Sequence, residues 1–277
     1  MEAHKALAKA GIAVLLLIPL WHMLVAEELY KTGEDFYFYA EGFGEREYLA
    51  PGANETREMQ VITIITKRIV ESRGDEARMA FEVESRELAT GAPIFHASEV
   101  LDYNRRTFSF TKDGSAYNWF PRNVEKRAYE DVYYSSALPV ADYEFEGVEE
   151  VEGLEAYVFG FEGRMDASGK YPDYPDARIT RDMEGRIWVE PRTGSVVDVE
   201  VEWVAYMDAE GGPVVIDRGG TGYSDDTAAM LAEEASGRKN HMRFALIWMP
   251  LLFVFAAIAA FAASWLAKPG REGYGSR

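Results

Sequence analysis

The sequence predicts a mainly β protein: an antiparallel sheet domain set between two membrane-crossing α-helices. Three observations carry that reading. Apolar runs stand near both ends, at residues 7–26 and 244–266. Between them polar and apolar residues alternate with period two, and glycine, proline and asparagine punctuate that alternation at turn spacing.

The 277 residues carry 47 acidic and 29 basic side chains and no cysteine. Residues 1–26 sum to +1 and residues 243–277 to +3, so the stretch between carries −22 of a total of −18. Such a surface repels nucleic acid and anionic headgroups, which disfavours a phosphate-binding partner. It also keeps a domain soluble in a salty medium. Without cysteine there is neither a disulfide nor a thiolate metal site.

The first element, 7–26, reads LAKAGIAVLLLIPLWHMLVA and has Lys9 as its single charge. About 20 apolar residues cross the hydrocarbon layer. A cleaved signal peptide would want a small residue where Leu24 stands, so an uncleaved anchor is expected. The second run, 244–266, has no charge at all. Pro19 and Pro250 are expected to kink the two helices. Lys5 and Lys9 precede the first run and Glu27 and Glu28 follow it; Lys268, Arg271 and Arg277 follow the second. By the positive-inside bias, residues 1–6 and the basic tail 267–277 are cytoplasmic and 27–223 lies outside. Arg238, Lys239 and Arg243 vote the other way. Trp21, Trp248 and Trp265 fall near span ends, where amphipathic rings settle.

Inside 27–223, residues 59–70 are rich in β-branched side chains. RGDE at 73–76 makes a turn, and then Met79, Phe81 and Val83 oppose Arg78, Glu82 and Glu84. Residues 100–103 and 107–111 flank an Asn-Arg-Arg turn. Residues 154–161 are apolar on both faces, as in a strand covered on each side. The clearest hairpin is RIWVEPRTGSVVDVEVEW at 186–203. Pro191, Arg192, Thr193 and Gly194 turn the chain, with proline at a type I position and glycine free to take positive φ. On the return strand Val197, Val199, Val201 and Trp203 are expected on one face, and Asp198, Glu200 and Glu202 on the other. VLDYNRRTFSF and WVEPRTGSVVD share a strand, acidic residue, Arg-Thr, strand order, which raises two related halves at 30–115 and 116–223. Residues 224–243 form a juxtamembrane helical stalk, capped by Ser224 or Asp225, with Gly237 as its weak point.

Few residues offer chemistry. His96 and His241 stand alone, and no nucleophile, base and orienting group assemble without arbitrary choice. No enzyme, cofactor or metal is expected. Gly219-Gly220-Thr221-Gly222 lacks the lysine of a phosphate loop and reads as a linker. YPDYPD at 171–176 reads as an exposed turn, its two carboxylates too few for calcium. Aromatics gather at 36–43 and in Tyr117, Trp119, Phe120, Tyr129, Tyr133 and Tyr134. They would line a groove for a lipid or sugar, or they are core; core is favoured, because rings carry most burial in β-domains. Asn54-Glu55-Thr56 is a glycosylation sequon.

VLDYNRRTFSF, YNWFPRNVEKRAYEDVYYSSALPVADYEFEGVEEVEGLEAYVF and RIWVEPRTGSVVDVEVEW together resemble the porin PorA-type membrane proteins of actinobacteria. That likeness implies the same order of N-terminal span, outer domain, C-terminal span and basic tail, and it transfers no catalytic residue. Trp119-Phe120-Pro121 departs from the aromatic-proline-aromatic order of the family. The second half also resembles, more loosely, the curved-sheet lipoprotein carriers of the LolA type. The expected function is a non-enzymatic, two-span envelope protein in the lipid bilayer, its acidic outward domain a binding or structural module. The alternatives are a carrier or sensor of lipid or another apolar ligand, and a pore-forming homo-oligomer. The wet strand faces, with Arg78, Glu200 and Glu202, disfavour a barrel in lipid.

Overall fold

Period-two alternation becomes twelve strands in the computed structural model, which describes residues 2–26, 28 and 31–267. The chain divides into two units, one of residues up to Lys31 and from Arg238 onward, the other Thr32–Gly237. The charges beyond residue 267 and Glu27, on which part of the orientation rests, lie outside the described residues.

In the helical unit α1 spans Glu2–Trp21 and passes into a π turn at His22–Ala26. On the far side of the barrel sequence, α2 (Asp225–Arg243) leads through a second π turn at Phe244–Trp248 into α3 (Met249–Leu266). The π turns lie beside Pro19 and Pro250, where kinks were expected. α1 and α3 pack antiparallel. The ring of Phe261 comes within 3.0 Å of where a Cβ on Gly11 would sit, and Trp21 Nε1 donates to the Ala245 carbonyl at 2.9 Å. A small residue opposite a large one is the usual way apolar helices close together in lipid. Their outer surfaces stay uncovered: Leu16 is 65 %, Leu252 53 % and Trp265 68 % exposed. Two helical segments, Lys5–Val25 and Asp225–Leu266, are long and apolar enough to cross a membrane.

The other unit is a barrel. Its strands are β1 (Tyr37–Tyr48), β2 (Arg57–Arg73), β3 (Glu76–Glu87), β4 (Pro93–Asn104), β5 (Ser109–Lys112), β6 (Ser115–Asn118), β7 (Tyr129–Val132), β8 (Ala141–Val151), β9 (Leu154–Asp166), β10 (Ile179–Val189), β11 (Val196–Ala209) and β12 (Gly212–Tyr223). Each pairs with its sequence neighbour and β12 returns to β1, closing the ring. All pairings are antiparallel except β6 to β7, a single parallel bridge between Asn118 and Val132. The turns use the expected chemistry. Asp113-Gly114 and Glu152-Gly153 both take positive φ, the signature of two-residue hairpins whose twist matches the strands.

Several expectations change here. The lipoprotein-carrier likeness implies an open, bent sheet, whereas this sheet closes. Separate halves at 30–115 and 116–223 do not exist as cores, because one apolar cluster takes Tyr48, Met59 and Val83 from the first and Ile179, Ala205 and Ile216 from the second. Residues 219–222 are no linker; they lie in β12 against Gly42 and Gly44 of β1. A Cβ on Gly42 would sit 2.5 Å from the Gly222 carbonyl, so this seam admits only glycine backbones at such closeness. Val197 leaves the face shared by Val199, Val201 and Trp203. The β10–β11 register shifts between Trp188 and Val189, and the bulge turns Val197 outward. It meets Leu154, Ala156, Val158 and Trp188 there, under Ala232 and Ala235 of α2. This covers the second face of β9 and accounts for its two apolar sides.

The same contact corrects the stalk. Thr227, Ala228, Leu231, Ala232 and Ala235 form one buried stripe, so this part of α2 packs on the barrel wall. Ser224 caps it, its hydroxyl accepting from the Thr227 amide at 3.2 Å. Gly237 does not break it.

Candidate ligand site inside the barrel

The barrel is filled from within. The chain between β7 and β8, Tyr133 to Pro139, is buried at every position without being a strand. Buried coil needs partners for its backbone, and several are supplied: the Tyr133 amide donates to the Asn118 carbonyl, the Ala137 amide donates to the Ser135 hydroxyl at 3.3 Å, and Lys170 Nζ donates to the Ser136 carbonyl at 3.0 Å. Burial, together with the charge of Lys112, pushes Lys170 down to about 8. From the YPDYPD turn Tyr171 enters as a second plug, while Pro172, Asp173, Pro175 and Asp176 stay exposed as expected. Tyr171 is fully buried, Tyr174 donates to the Leu49 carbonyl, and Tyr48 donates to Asp173 at 3.0 Å. The ring of Tyr171 is large enough to fill one end of the lumen, and the Pro-Asp pairs keep the solvent that their turn chemistry favours.

At that end lies an ion pair. Arg46 on β1 donates through Nε and Nη2 to the two oxygens of Asp217 on β12, at 2.9 and 2.5 Å. Tyr171 at 2.7 Å and Trp203 Nε1 at 2.8 Å donate to the same carboxylate. Burial pushes the Asp217 carboxyl up, but the Arg46 guanidinium and these hydrogen bonds outweigh it and hold the group below its ordinary range. Arg181 on β10 stacks between Trp203 and Phe95, 4.3 and 4.8 Å from the ring centroids. Its Nε is buried without a hydrogen-bond partner.

Toward the other end stands Lys67 on β2, fully buried, its amine without a hydrogen-bond partner. Four rings surround it, with Tyr134 at 3.4 Å, Trp119 at 4.7 Å, Phe38 at 4.8 Å and Phe81 at 6.0 Å from their centroids. Burial pushes this amine well below its ordinary pKa. Between the two centres lies a cavity of about 50 Å³, bordered by Thr63, Ser85, Tyr134, Ser135, Arg181 and Tyr223.

Phe120, Tyr129 and Tyr134 belong to one core cluster and Tyr133 to another, with Trp119 and Tyr117 partly buried against them. Of the six, Tyr134 alone borders the cavity. Pro191 to Gly194 make the predicted turn, with Gly194 at φ 71°. This loop also anchors a neighbouring segment. The Val124 amide donates to the Pro191 carbonyl at 2.6 Å and Asn123 to that of Arg192 at 3.2 Å, which pins the stretch carrying Trp119 and Phe120. Asn54 is exposed on the β1–β2 loop. Lys67, Arg46, Arg181 and Asp217 were missed. Each sits in phase with inward apolar neighbours, as Lys67 does with Val61, Thr63 and Ile65, but Ile62 and Ile64 make the opposite face equally apolar. The outer wall carries a groove of about 750 Å³ over β8–β11, carpeted by Asp142, Glu144, Glu146, Glu162, Glu184, Glu200 and Glu202. Arg186 pairs with Glu146 there at 2.9 Å.

A family model described as Porin PorA matches residues 87–266. No curated protein matches the chain. Among solved structures, an exported protein of Bacteroides fragilis with a YmcC-like fold is 11 % identical, covering 68 % of this chain and 97 % of its own. Its TM-score is 0.31, too slight a likeness to bear on function.

Proposed function

Because the chain belongs to the Porin PorA family, we propose that it is a two-span, non-enzymatic envelope protein whose acidic barrel stands outside the membrane as a binding or structural module. One contrast carries this reading. The barrel wall is charged along its strands, with Arg78, Glu82, Glu144, Glu162, Glu184, Glu200 and Glu202 exposed, whereas the helices leave bare apolar surface. A wall of that kind has no lipid-facing band, and uncovered Leu, Phe and Trp side chains need one. Both termini are then cytoplasmic, following Lys5, Lys9 and the basic tail.

The absence of cysteine makes the test clean. Asn54→Cys should react with a membrane-impermeant maleimide in intact cells, and Gly275→Cys only after permeabilisation. The reverse pattern, or labelling of both in intact cells, overturns the topology.

The closed twelve-strand barrel favours a second reading, a pore. Conduction needs a wet lumen, and here the Tyr133–Pro139 segment and the Tyr171 loop occupy it. Purified protein in planar bilayers is expected to give no stepwise conductance; discrete steps would establish the pore. An acyl-chain carrier has less support, since ligand pockets run to roughly 300–1,000 Å³ against the cavity of about 50 Å³.

A further inference from the structure

Arg181 and Lys67 are both buried cations without a hydrogen-bonded partner at the atoms concerned, but their remedies differ. A lysine can release its proton when water is removed. A guanidinium gives its proton up far less readily, even where burial pushes its pKa down, as at Arg181. An isolated charge in an apolar interior is costly enough that proteins pair it. Asp217 is close by but already receives Arg46 twice, Tyr171 and Trp203. Among the described residues Arg181 makes no ion pair. What it does border is the cavity.

We propose that this cavity holds a small monovalent anion, a halide or a short monocarboxylate, bound against the Arg181 guanidinium. The wall supports that sign of charge. No carboxylate lines it, and its hydroxyls have protons to spare. Thr63 and Ser85 share one hydrogen bond at 2.9 Å, which uses one of their two protons. Tyr134 and Tyr223 share another at 2.5 Å, which again leaves one free. Ser135 accepts from the Ala137 amide, so its own proton remains available. Charge-assisted bonds from such donors are the strong ones. The size fits as well, because one water needs about 10–15 Å³ by the same kind of measure, and about 50 Å³ admits a few heavy atoms. Val83, Leu138 and Val201 offer apolar wall to the methyl of a short acid.

The test is thermal unfolding of the full chain in detergent at fixed ionic strength, in sodium gluconate, chloride or acetate. Gluconate is too large to enter. Chloride or acetate should raise Tm by roughly 5–10 °C at a hundredfold excess over Kd, and Arg181→Met should abolish that difference. A response to chloride alone assigns a halide, and a response to acetate alone assigns a carboxylate. Equal Tm in all three salts overturns the proposal, as does an unchanged salt response in R181M. Should R181M fail to fold, wild-type crystals soaked in sodium bromide and, separately, in sodium bromoacetate decide the matter: an anomalous bromine peak beside Arg181 in either supports the site, and none in both refutes it.

Discussion

Asp217→Asn will destabilise the barrel by about 3–5 kcal/mol, the usual consequence of leaving a buried cation without its partner. The variant keeps the shape of the side chain and removes the charge that Arg46 meets through two hydrogen bonds. The readout is the urea midpoint followed by tryptophan fluorescence, since Trp203 donates to the same carboxylate. A loss below about 1 kcal/mol would mean that the pair contributes no more than a surface salt bridge. Replacing both partners with apolar residues, Arg46→Met with Asp217→Leu, should recover much of the loss, because neither charge is then stranded. The pair also sets an acid limit. Asp217 is held below its ordinary range, so its contribution is complete above the unfolded carboxylate value near 3.9 and disappears as pH falls through the lower folded value.

Lys67→Met will act in the opposite direction and stabilise the barrel at pH 7, by about 1–4 kcal/mol, or roughly 2–4 °C in Tm for each kcal/mol. Two effects compete at this amine. The four rings attract an ammonium with on the order of 2 kcal/mol when water is excluded, whereas removing the ion from water costs several. Desolvation wins, in agreement with the depressed pKa. Methionine fills the same space without the proton problem. The folded amine binds its proton less tightly than the unfolded one, so wild-type stability rises with pH across the window between the folded pKa and about 10.4, at up to roughly 1.4 kcal/mol per pH unit. K67M should lack that slope. If it proves less stable than wild type, with the slope intact, the rings hold a charged lysine after all.

How far these centres could be read from the letters depends on phase. Strands with one wet face declared themselves: Met79, Phe81 and Val83 against Arg78, Glu82 and Glu84, or Val199, Val201 and Trp203 against Glu200 and Glu202. The hairpin at Pro191–Gly194, the Ser224 cap and both apolar helices were legible for the same reason, since each is a local rule obeyed locally. Closure was not legible. It depends on β1 meeting β12, and Gly42, Gly44 and Gly219 to Gly222 look alike in a loop and in a tight seam. The inward charges were hidden because Arg46 in GEREY and Arg181 in TRDMEGR read as surface residues. Only the second plug, supplying Tyr171, and the far strand, supplying Asp217, give them an inside. The aromatic cluster at 117–134 was identified and favoured as core. What the letters did not reveal was that Tyr133 and Tyr134 begin a coil threaded through the lumen.

Ring closure also imposes an order of events on synthesis. Arg46 and Asp217 are 171 positions apart, so at a translation rate of about 5–20 residues per second β1 waits roughly ten to thirty-odd seconds for its mate. Throughout that interval its free edge offers unpaired amides and carbonyls to any passing strand. The nascent chain is therefore most exposed to mispairing just before the ribosome reaches α2, and a chaperone that shields one strand edge would serve it better than one that hides greasy surface.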